Sequence, residues 1–348
     1  MGSNRFASLD ALRGICALTV ILFHCGGMFA AGQSFCHGYL AVDIFFILSG
    51  FVIAHSYDQR LAEGLTVGEF LKRRLMRLAP VYWAGTVLCA ATFALASWPE
   101  VSALYSPLEM GCLGVMAIML APQLWFHDYA YPINLVAWSL AAELVANLLY
   151  ARWLHRASSR LLLALTAGGW GLCLFYAAHS PAGWDFGAVS FNFYMCPLRA
   201  VPAFLAGVLV YRAHRSGGLA RLPALPVPAG LLAWVLIASV PASGPTPWFD
   251  FLAVALAGPL LIAIQARSTG TVPRGLLWLG AISYPLYASH RALISVALDT
   301  PLLGTGAGPL RGAMVAAAML AVAAVIHYLV ERAPRAAKAA LMERAALS

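Results

Sequence analysis

The sequence predicts an all-α polytopic membrane protein, a bundle of about ten transmembrane helices with both the N- and C-termini in the cytoplasm. The first observation is composition: of 348 residues, 61% are hydrophobic and 10% are charged, and the mean hydropathy is +0.79. A soluble domain is about a quarter charged, so this chain cannot cover a globule with polar surface. The other two observations are a series of long apolar runs and an uneven distribution of positive charge.

The apolar runs define the predicted helices, because each is close to the about 20 residues that cross a hydrocarbon core. In order, they are 10–29, 38–55, 79–97, 133–151, 161–178, 198–211, 226–241, 249–266, 275–298 and 312–330. A further run near 108–121 is short and lies between two prolines, so we expect a re-entrant or interfacial segment there. Residues 1–334 are expected to form the membrane domain, and residues 335–348 a cytoplasmic tail.

The positive charges predict the orientation of the bundle. With both termini inside, all but three of the 22 Lys and Arg fall on cytoplasmic segments, as the positive-inside rule requires. The connection 56–78 is then cytoplasmic, and 98–132 lies outside or is re-entrant. Of the exceptions, Arg199 and Arg311 lie at outer helix ends, from which long side chains can reach the interface, whereas Arg291 lies well inside a span. The net charge of +8 therefore reflects orientation, and no nucleic-acid partner is expected.

Five ionisable residues on four predicted helices lie deep in the membrane, where each charge costs about 2.5 to 3.5 kcal/mol. At 1.5 Å per residue across a core of about 30 Å, His24, His290 and Arg291 lie about 20 to 23 Å above the inner face. By the same arithmetic Asp43 lies at about 24 Å and Glu143 at about 15 Å. Because they share one layer, these residues predict a functional site.

Basic residues mark the inner rim. Arg13 and His24 are separated by about three helical turns, so they share a helix face about 16 Å apart. The run 72–77 contains four cations, and Arg74 and Arg77 are spaced so that both can hold one phosphate. The alternatives are an anchoring arginine with a buried structural histidine, and a loop that sets topology and binds lipid headgroups.

Taken together, these elements resemble the membrane-bound acyltransferase 3 family. The resemblance is carried by six elements in order: Arg13 with His24, the segment 38–51, Arg74 with Arg77, Trp138-Ser139-Leu140 followed by Glu143, the segment 280–290 and the segment 327–334. Two positions depart from the family pattern. Ala41 replaces the commoner glycine, and the fourth span lacks the paired acids of many members.

The resemblance implies an enzyme of the cell inner membrane that transfers an acyl group, by default acetyl, from cytoplasmic acyl-CoA across the membrane to a hydroxyl of a sugar or glycan. It implies no tightly bound cofactor and no metal. The CoA phosphates would bind the arginines at the inner rim, and the pantetheine arm would place the thioester at the depth of His24. The expected donor-binding residues are Arg13, Arg73, Arg74 and Arg77.

A hydroxyl needs a base to attack an acyl carbonyl, and histidine suits that task at neutral pH. His24 is therefore expected to act as the general base or as a covalent acyl carrier, with Glu143 or Asp43 orienting its ring. The candidates for acceptor binding or oxyanion stabilisation are Ser49, Ser139, Ser283, His290 and Arg291.

Two other functions suit a helical bundle with buried charges. A secondary transporter would show two related halves, which the sequence lacks. A glycan polymerase or ligase would show a long charged outer loop, whereas 98–132 contains no Lys or Arg. Cys25 and Cys36 each adjoin a histidine, but the pairs are too far apart along the chain to predict a metal site.

Overall fold

The computed structural model describes residues 6–29, 35–96, 106–125, 128–299 and 306–333, and these ranges contain helices and two isolated β-bridges but no β-strand. The prediction of an all-α fold is confirmed. The helices are α1 Ala7–His24, α2 Ala41–Ala62, α3 Val67–Ala96, α4 Pro107–Ile118, α5 Ala137–Arg152, α6 Ser159–His179, α7 Cys196–Arg215, α8 Val227–Ala238, α9 Pro247–Arg267, α10 Arg274–Asp299 and α11 Pro309–Arg332.

Each predicted apolar run lies mostly within one of these helices. Six of the described helices, namely α1, α2, α6, α7, α9 and α11, are long and apolar enough to cross a membrane. The chain is therefore a multi-pass membrane protein. The tail predicted at 335–348 lies outside the described residues.

The segment 56–78, expected to be a loop, is mostly helical. Helix α2 continues to Ala62 and α3 already begins at Val67, so the basic run 72–77 lies on the first turns of α3. A capping box begins α3: the Glu69 amide donates to Thr66 Oγ1 at 3.2 Å, and the Thr66 amide donates to the Glu69 carboxylate at 3.2 Å. Because the basic run is helical, the faces on which its arginines lie are fixed.

The short segment near 108–121 forms helix α4, which has 12 residues and so a length of about 18 Å. A capping box of Ser106 and Glu109 begins it. Its last carbonyls are bonded by side chains of α3: Tyr82 Oη donates to Ala117 O at 2.6 Å, and Trp83 Nε1 donates to Ile118 O at 3.0 Å. Helix α4 is too short to cross a core of about 30 Å and is fixed to α3 at its C-terminal end.

Three helix pairs position the site: α1 with α10, α3 with α10, and α2 with α7. Glycines allow all three pairs to approach closely, and Gly85 of α3 does so against α10. A Cβ at Gly50 would overlap the Phe204 carbonyl, and one at Gly207 would overlap the Ile47 carbonyl, so α2 and α7 meet backbone to backbone. Gly14 and Gly280 do the same for α1 and α10. The close contact of α1 with α10 brings the N-terminal basic residues against the C-terminal motif.

Candidate active site

A cavity of about 670 Å³ lies between α1, α2, α3, α5, α10 and the end of α11. Residues of α2 from Val42 to Ser56 line the cavity, which corresponds to a length of about 21 Å at 1.5 Å per residue. Its volume is within the range of small-molecule sites. Its charged lining consists of Asp10, Arg13, Arg74, Arg77, Glu143 and Glu331. The cavity is thus polar towards the N-terminal end of α1, which is the predicted cytoplasmic side.

Arg13 is held between α1 and α10. Its Nε donates to Ser283 Oγ at 2.9 Å, and one terminal nitrogen donates to Gly280 O at 2.8 Å. The same guanidinium lies 3.0 Å from the Asp10 carboxylate, one helical turn earlier on α1. These contacts fix the guanidinium at the cavity wall.

Arg74 and Arg77, on consecutive turns of α3, also line the cavity. One terminal nitrogen of Arg74 donates to Glu143 Oε1 at 2.7 Å, and the same oxygen accepts from Ser49 Oγ at 2.7 Å. The Nε of Arg74 is buried and has no partner among the described residues. Arg77 is exposed towards the cavity. The pair therefore brings two positive charges to the cavity wall, one of them exposed. Arg73, also predicted for this site, is exposed and does not line it.

Tyr287 and Phe45 line the far end of the cavity. Their ring centroids are 5.7 Å apart in an edge-to-face arrangement. The Tyr287 hydroxyl and Ser139 Oγ share a hydrogen bond of 2.7 Å. On its other side Tyr287 contacts the ring of His290 at a centroid distance of 5.8 Å. Tyr287 thus connects the cavity with the histidines beyond it.

His24 and His290 stack on each other, with ring centroids 5.2 Å apart and planes inclined by 26°. Because a carbonyl oxygen only accepts, the 2.8 Å contact between His290 Nδ1 and Tyr287 O places a proton on Nδ1. The Nε2 of His290 is buried without a partner among the described residues. Neither ring lines the cavity. Arg291 is the next residue of α10 after His290.

Asp43 lies elsewhere, in a closed ion pair with Arg199 of α7. The Asp43 carboxylate accepts from Arg199 at 2.7 and 3.0 Å, and both side chains are at most 1% exposed. Arg199 also donates to Phe186 O at 3.1 Å, and Trp138 faces its guanidinium at 5.3 Å. The expectation that Arg199 reaches the interface is wrong, because its charge is satisfied inside the protein.

The structure thus sorts the predicted residues into three places. The inner cavity contains Arg13, Arg74, Arg77, Glu143, Ser49, Ser139 and Ser283. The outer group contains His24, His290 and Arg291. Asp43 belongs to the pair with Arg199. In the described structure the His24 ring contacts the rings of His290 and Phe23, whereas Asp43 and Glu143 bind arginines.

Sequence reasoning gave no role to Tyr287 and did not notice Glu331. A usable signal existed for both. Tyr287 follows Ser283 by one helical turn and so shares its face. Glu331 is an acid at the end of the last apolar run. Among the described residues, no group of three or more His, Cys, Asp and Glu side chains could hold a metal ion.

Comparison with known proteins finds several relatives. Residues 6–328 match a family model described as an acyltransferase domain. Protein 2 of the picA locus of Rhizobium radiobacter is 39% identical over 177 residues, which cover 47% of this chain and 92% of that protein. The exopolysaccharide production protein ExoZ of Rhizobium meliloti is 27% identical over 294 residues, covering 82% and 86%. The O-acetyltransferase OatA of Staphylococcus aureus is 28% identical over 170 residues, covering 44% of this chain and 26% of OatA. No solved structure gives a significant match.

Proposed function

We propose, from the premise that this chain belongs to the acyltransferase 3 family, that it is an O-acyltransferase that moves an acyl group, by default acetyl, from cytoplasmic acyl-CoA to a hydroxyl of a glycan outside the membrane. The observation that carries this proposal is one cavity with three arginines at its inner part and two stacked histidines beyond its far end. To move an acyl group from one side of a membrane to the other, an enzyme needs a donor site on the inner side and a reacting centre between that site and the outer face.

The lining of the cavity supports acyl-CoA as the donor. CoA is polyanionic, and guanidinium groups bind phosphate oxygens in a fork geometry. Arg77 is exposed and lines the cavity, so it offers donors to a phosphate, and Arg74 adds a second positive charge one turn earlier on the same wall. Arg13 adds a third charge on the opposite helix. A cavity that follows α2 for about 21 Å suits an extended pantetheine arm.

The reacting centre is assigned to His24. The thioester would lie at the Tyr287 end of the cavity, and a shift of the Tyr287 ring would open it to His24. His24 then removes the proton of the acceptor hydroxyl, or first carries the acyl group itself. His290 positions His24 by stacking. Ser139 lies at the same end, so its hydroxyl and that of Tyr287 are the nearest candidate donors to the oxyanion.

The two carboxylates take different roles in this proposal. Glu143 holds Arg74 towards the cavity, since its one oxygen binds both Arg74 and Ser49. It is a positioning residue of the donor site. Asp43 balances Arg199, and so stabilises the contact of α2 with α7.

The acceptor is proposed to be a glycan at the outer face of the inner membrane. The support is chemical and comparative: a membrane enzyme with its donor site on one side leaves the other side for the acceptor, and ExoZ is named for exopolysaccharide production. In this arrangement ten helices span the bilayer, both termini are cytoplasmic, and α4 lies at the outer side or is re-entrant.

Replacement of His24 tests the proposal by separating chemistry from binding. His24→Ala should bind acetyl-CoA as the wild type does, because the phosphates are held about 16 Å away. The rate of acyl transfer should fall by a factor of about 10² to 10⁴, which is typical of the loss of a general base. Titration calorimetry, thermal unfolding and transfer of labelled acetyl to an envelope glycan fraction are measured on one purified preparation. A stable variant with nearly wild-type transfer would remove His24 from the reaction.

Labelling of the turn between α2 and α3 tests the orientation. Glu63 is exposed there, so Glu63→Cys should react with a membrane-impermeant maleimide only after the membrane is opened. The wild-type protein supplies the background of its own thiols. Reaction in intact spheroplasts above that background would reverse the proposed topology.

A further inference from the structure

Five aromatic and imidazole rings of α1, α2 and α7 pack together at the end of the cavity next to the start of α1. Phe6, which lies directly before α1, contacts Phe51 and His55 of α2 with ring centroids 5.1 and 5.2 Å apart. Phe6 also contacts His214 of α7 at 5.6 Å, and His55 contacts Tyr211 of α7 at 5.7 Å. All four contacts are edge-to-face. These five residues are called the aromatic cluster below.

Two rings of the aromatic cluster face the cavity. Phe6 and His55 line it; Phe6 is half-buried and His55 is exposed. Behind them, Phe51 and Tyr211 are buried. Within the described part of the chain, the His55 side chain makes no hydrogen bond and no ion pair, so it is held by its ring contacts alone. The cluster therefore presents two firmly packed rings, each with open surface, to the donor cavity.

Two helices give the distance of the aromatic cluster from the arginines. On α2, His55 lies six residues, or about 9 Å, beyond Ser49, which binds the same carboxylate as Arg74. On α1, Phe6 lies seven residues, or about 10 Å, before Arg13. Because α1 and α2 agree, the cluster lies about 10 Å from the arginines, at the end of the cavity opposite the stacked histidines.

We propose that the aromatic cluster binds the adenine base of acyl-CoA, which stacks on the rings of Phe6 and His55. This inference rests on the proposed function, in which the cavity arginines hold the phosphates. In CoA the adenosine and the pantetheine arm leave the phosphates in opposite directions. A thioester at the Tyr287 end of the cavity therefore directs the base to the opposite end, where the cluster lies. Stacking on aromatic rings is the usual way in which proteins hold a flat base.

The position of these rings argues against a membrane anchor. Aromatic residues at the ends of spanning helices commonly lie at the interface with lipid. Phe6 and His55 instead line the cavity that the arginines line. Ser56, the next residue of α2, is also exposed and lines the cavity, so its hydroxyl offers a polar partner to the edge of the base. The protein would then recognise the nucleotide end of the donor separately from its acyl end.

Two donors test the inference: acetyl-CoA, and S-acetyl-4′-phosphopantetheine, which keeps the thioester, the arm and one phosphate but lacks the adenosine. Both affinities are measured by competition with labelled acetyl-CoA on purified protein. His55→Ala should weaken acetyl-CoA binding by about fivefold or more, as loss of an aromatic platform does for a stacked base. Binding of the shorter donor should not change. His55→Phe, which keeps a ring, should restore most of the affinity for acetyl-CoA.

A second variant and a control complete the test. Phe6→Leu keeps an apolar side chain without a ring and should show the same selective loss as His55→Ala. The control, His179→Ala, makes the same substitution at an exposed histidine that does not line the cavity, and should bind both donors as the wild type does. Since His55 is exposed, its replacement should leave the unfolding temperature unchanged.

Equal weakening of both donors by His55→Ala would show that the ring supports the shape of the cavity, and would overturn the inference. Unchanged acetyl-CoA affinity in both His55→Ala and Phe6→Leu would also overturn it, while the proposed function would stand. The expected selective loss, in a wild-type protein that binds acetyl-CoA but transfers no acetyl group, would contradict the proposed function alone.

Discussion

Two of the arginine–carboxylate pairs in the described structure have the same length but different surroundings. Arg199 and Asp43 meet at 2.7 Å with side chains 1% and 0% exposed. Arg74 and Glu143 also meet at 2.7 Å, but their side chains are 7% and 20% exposed and line the cavity. The nitrogens of Arg199 donate to Asp43 and to backbone carbonyls, whereas the Nε of Arg74 has no partner in the described structure.

We infer from this difference that one pair serves structure and that the other serves binding. In a fully buried pair, each charge is stabilised mainly by its partner. Removal of one partner therefore leaves the other charge largely uncompensated. A pair at a cavity wall can exchange part of its interaction for a ligand. The exposure of each pair, and the number of donors that it leaves unused, therefore predict which one stabilises the fold and which one binds a substrate.

The largest effect is expected from neutralising Asp43. Asp43→Asn should lower the free energy of unfolding by about 3 kcal/mol, because the buried charge of Arg199 then keeps as its anion only the half-exposed Asp185, 3.9 Å away. Transfer per folded molecule should stay close to that of the wild type. Thermal or denaturant unfolding in detergent measures the first quantity, and transfer normalised to folded protein measures the second.

A companion variant keeps that prediction falsifiable if Asp43→Asn folds poorly. Replacing both partners, as Asp43→Leu with Arg199→Met, removes the charge together with its counter-charge and should recover most of the lost stability. If the double variant is as unstable as Asp43→Asn, the pair is not acting as a balanced charge. If it folds but does not transfer, Asp43 belongs to the reaction.

A smaller effect on stability is expected when the carboxylate at the cavity wall, Glu143, is neutralised. Glu143→Gln should cost no more than about 1 kcal/mol of stability, since Arg74 stays within reach of the cavity solvent and the new amide oxygen still accepts. The cavity gains one net positive charge, so acetyl-CoA should bind about fivefold more tightly, as a Coulomb interaction over about 10 Å permits at moderate dielectric. Calorimetric titration of acetyl-CoA into the variant measures this change in affinity. A fall in transfer beyond tenfold with unchanged affinity would place Glu143 in the chemical step.

The sequence predicted the helices and the grouping of Arg74 with Arg77, now seen at the cavity wall, because both depend on short-range patterns. An apolar run of about 20 residues identifies a span wherever it packs. Arg74 and Arg77 are three residues apart, so a helix places them on neighbouring faces whatever the rest of the chain does. The capping box of Thr66 and Glu69 is also a short-range sequence pattern. It explains why α3 already begins within the segment 56–78, which was expected to be a loop.

Partners far apart along the chain could not be predicted. Arg199 and Asp43 are 156 residues apart, and depth alone grouped Asp43 with His24. Depth fixes the height of a residue in the membrane but not its direction around the helix axis relative to other helices. The position of Tyr287 between the cavity and the histidines depends in the same way on how α10 packs against α1 and α3.

The binding of the donor by Arg74 and Arg77 is the central claim, and titration of acetyl-CoA into purified protein tests it most directly. Arg77→Ala, which leaves the Arg74–Glu143 pair in place, should weaken binding by about 1.5 to 3 kcal/mol, at least tenfold, and Arg74→Ala with Arg77→Ala should weaken it further. The control, Arg60→Ala with Lys72→Ala, removes two exposed cations that do not line the cavity, and should bind nearly as the wild type does. If the two double variants bind acetyl-CoA equally well, the cavity arginines do not hold the donor and the account is contradicted.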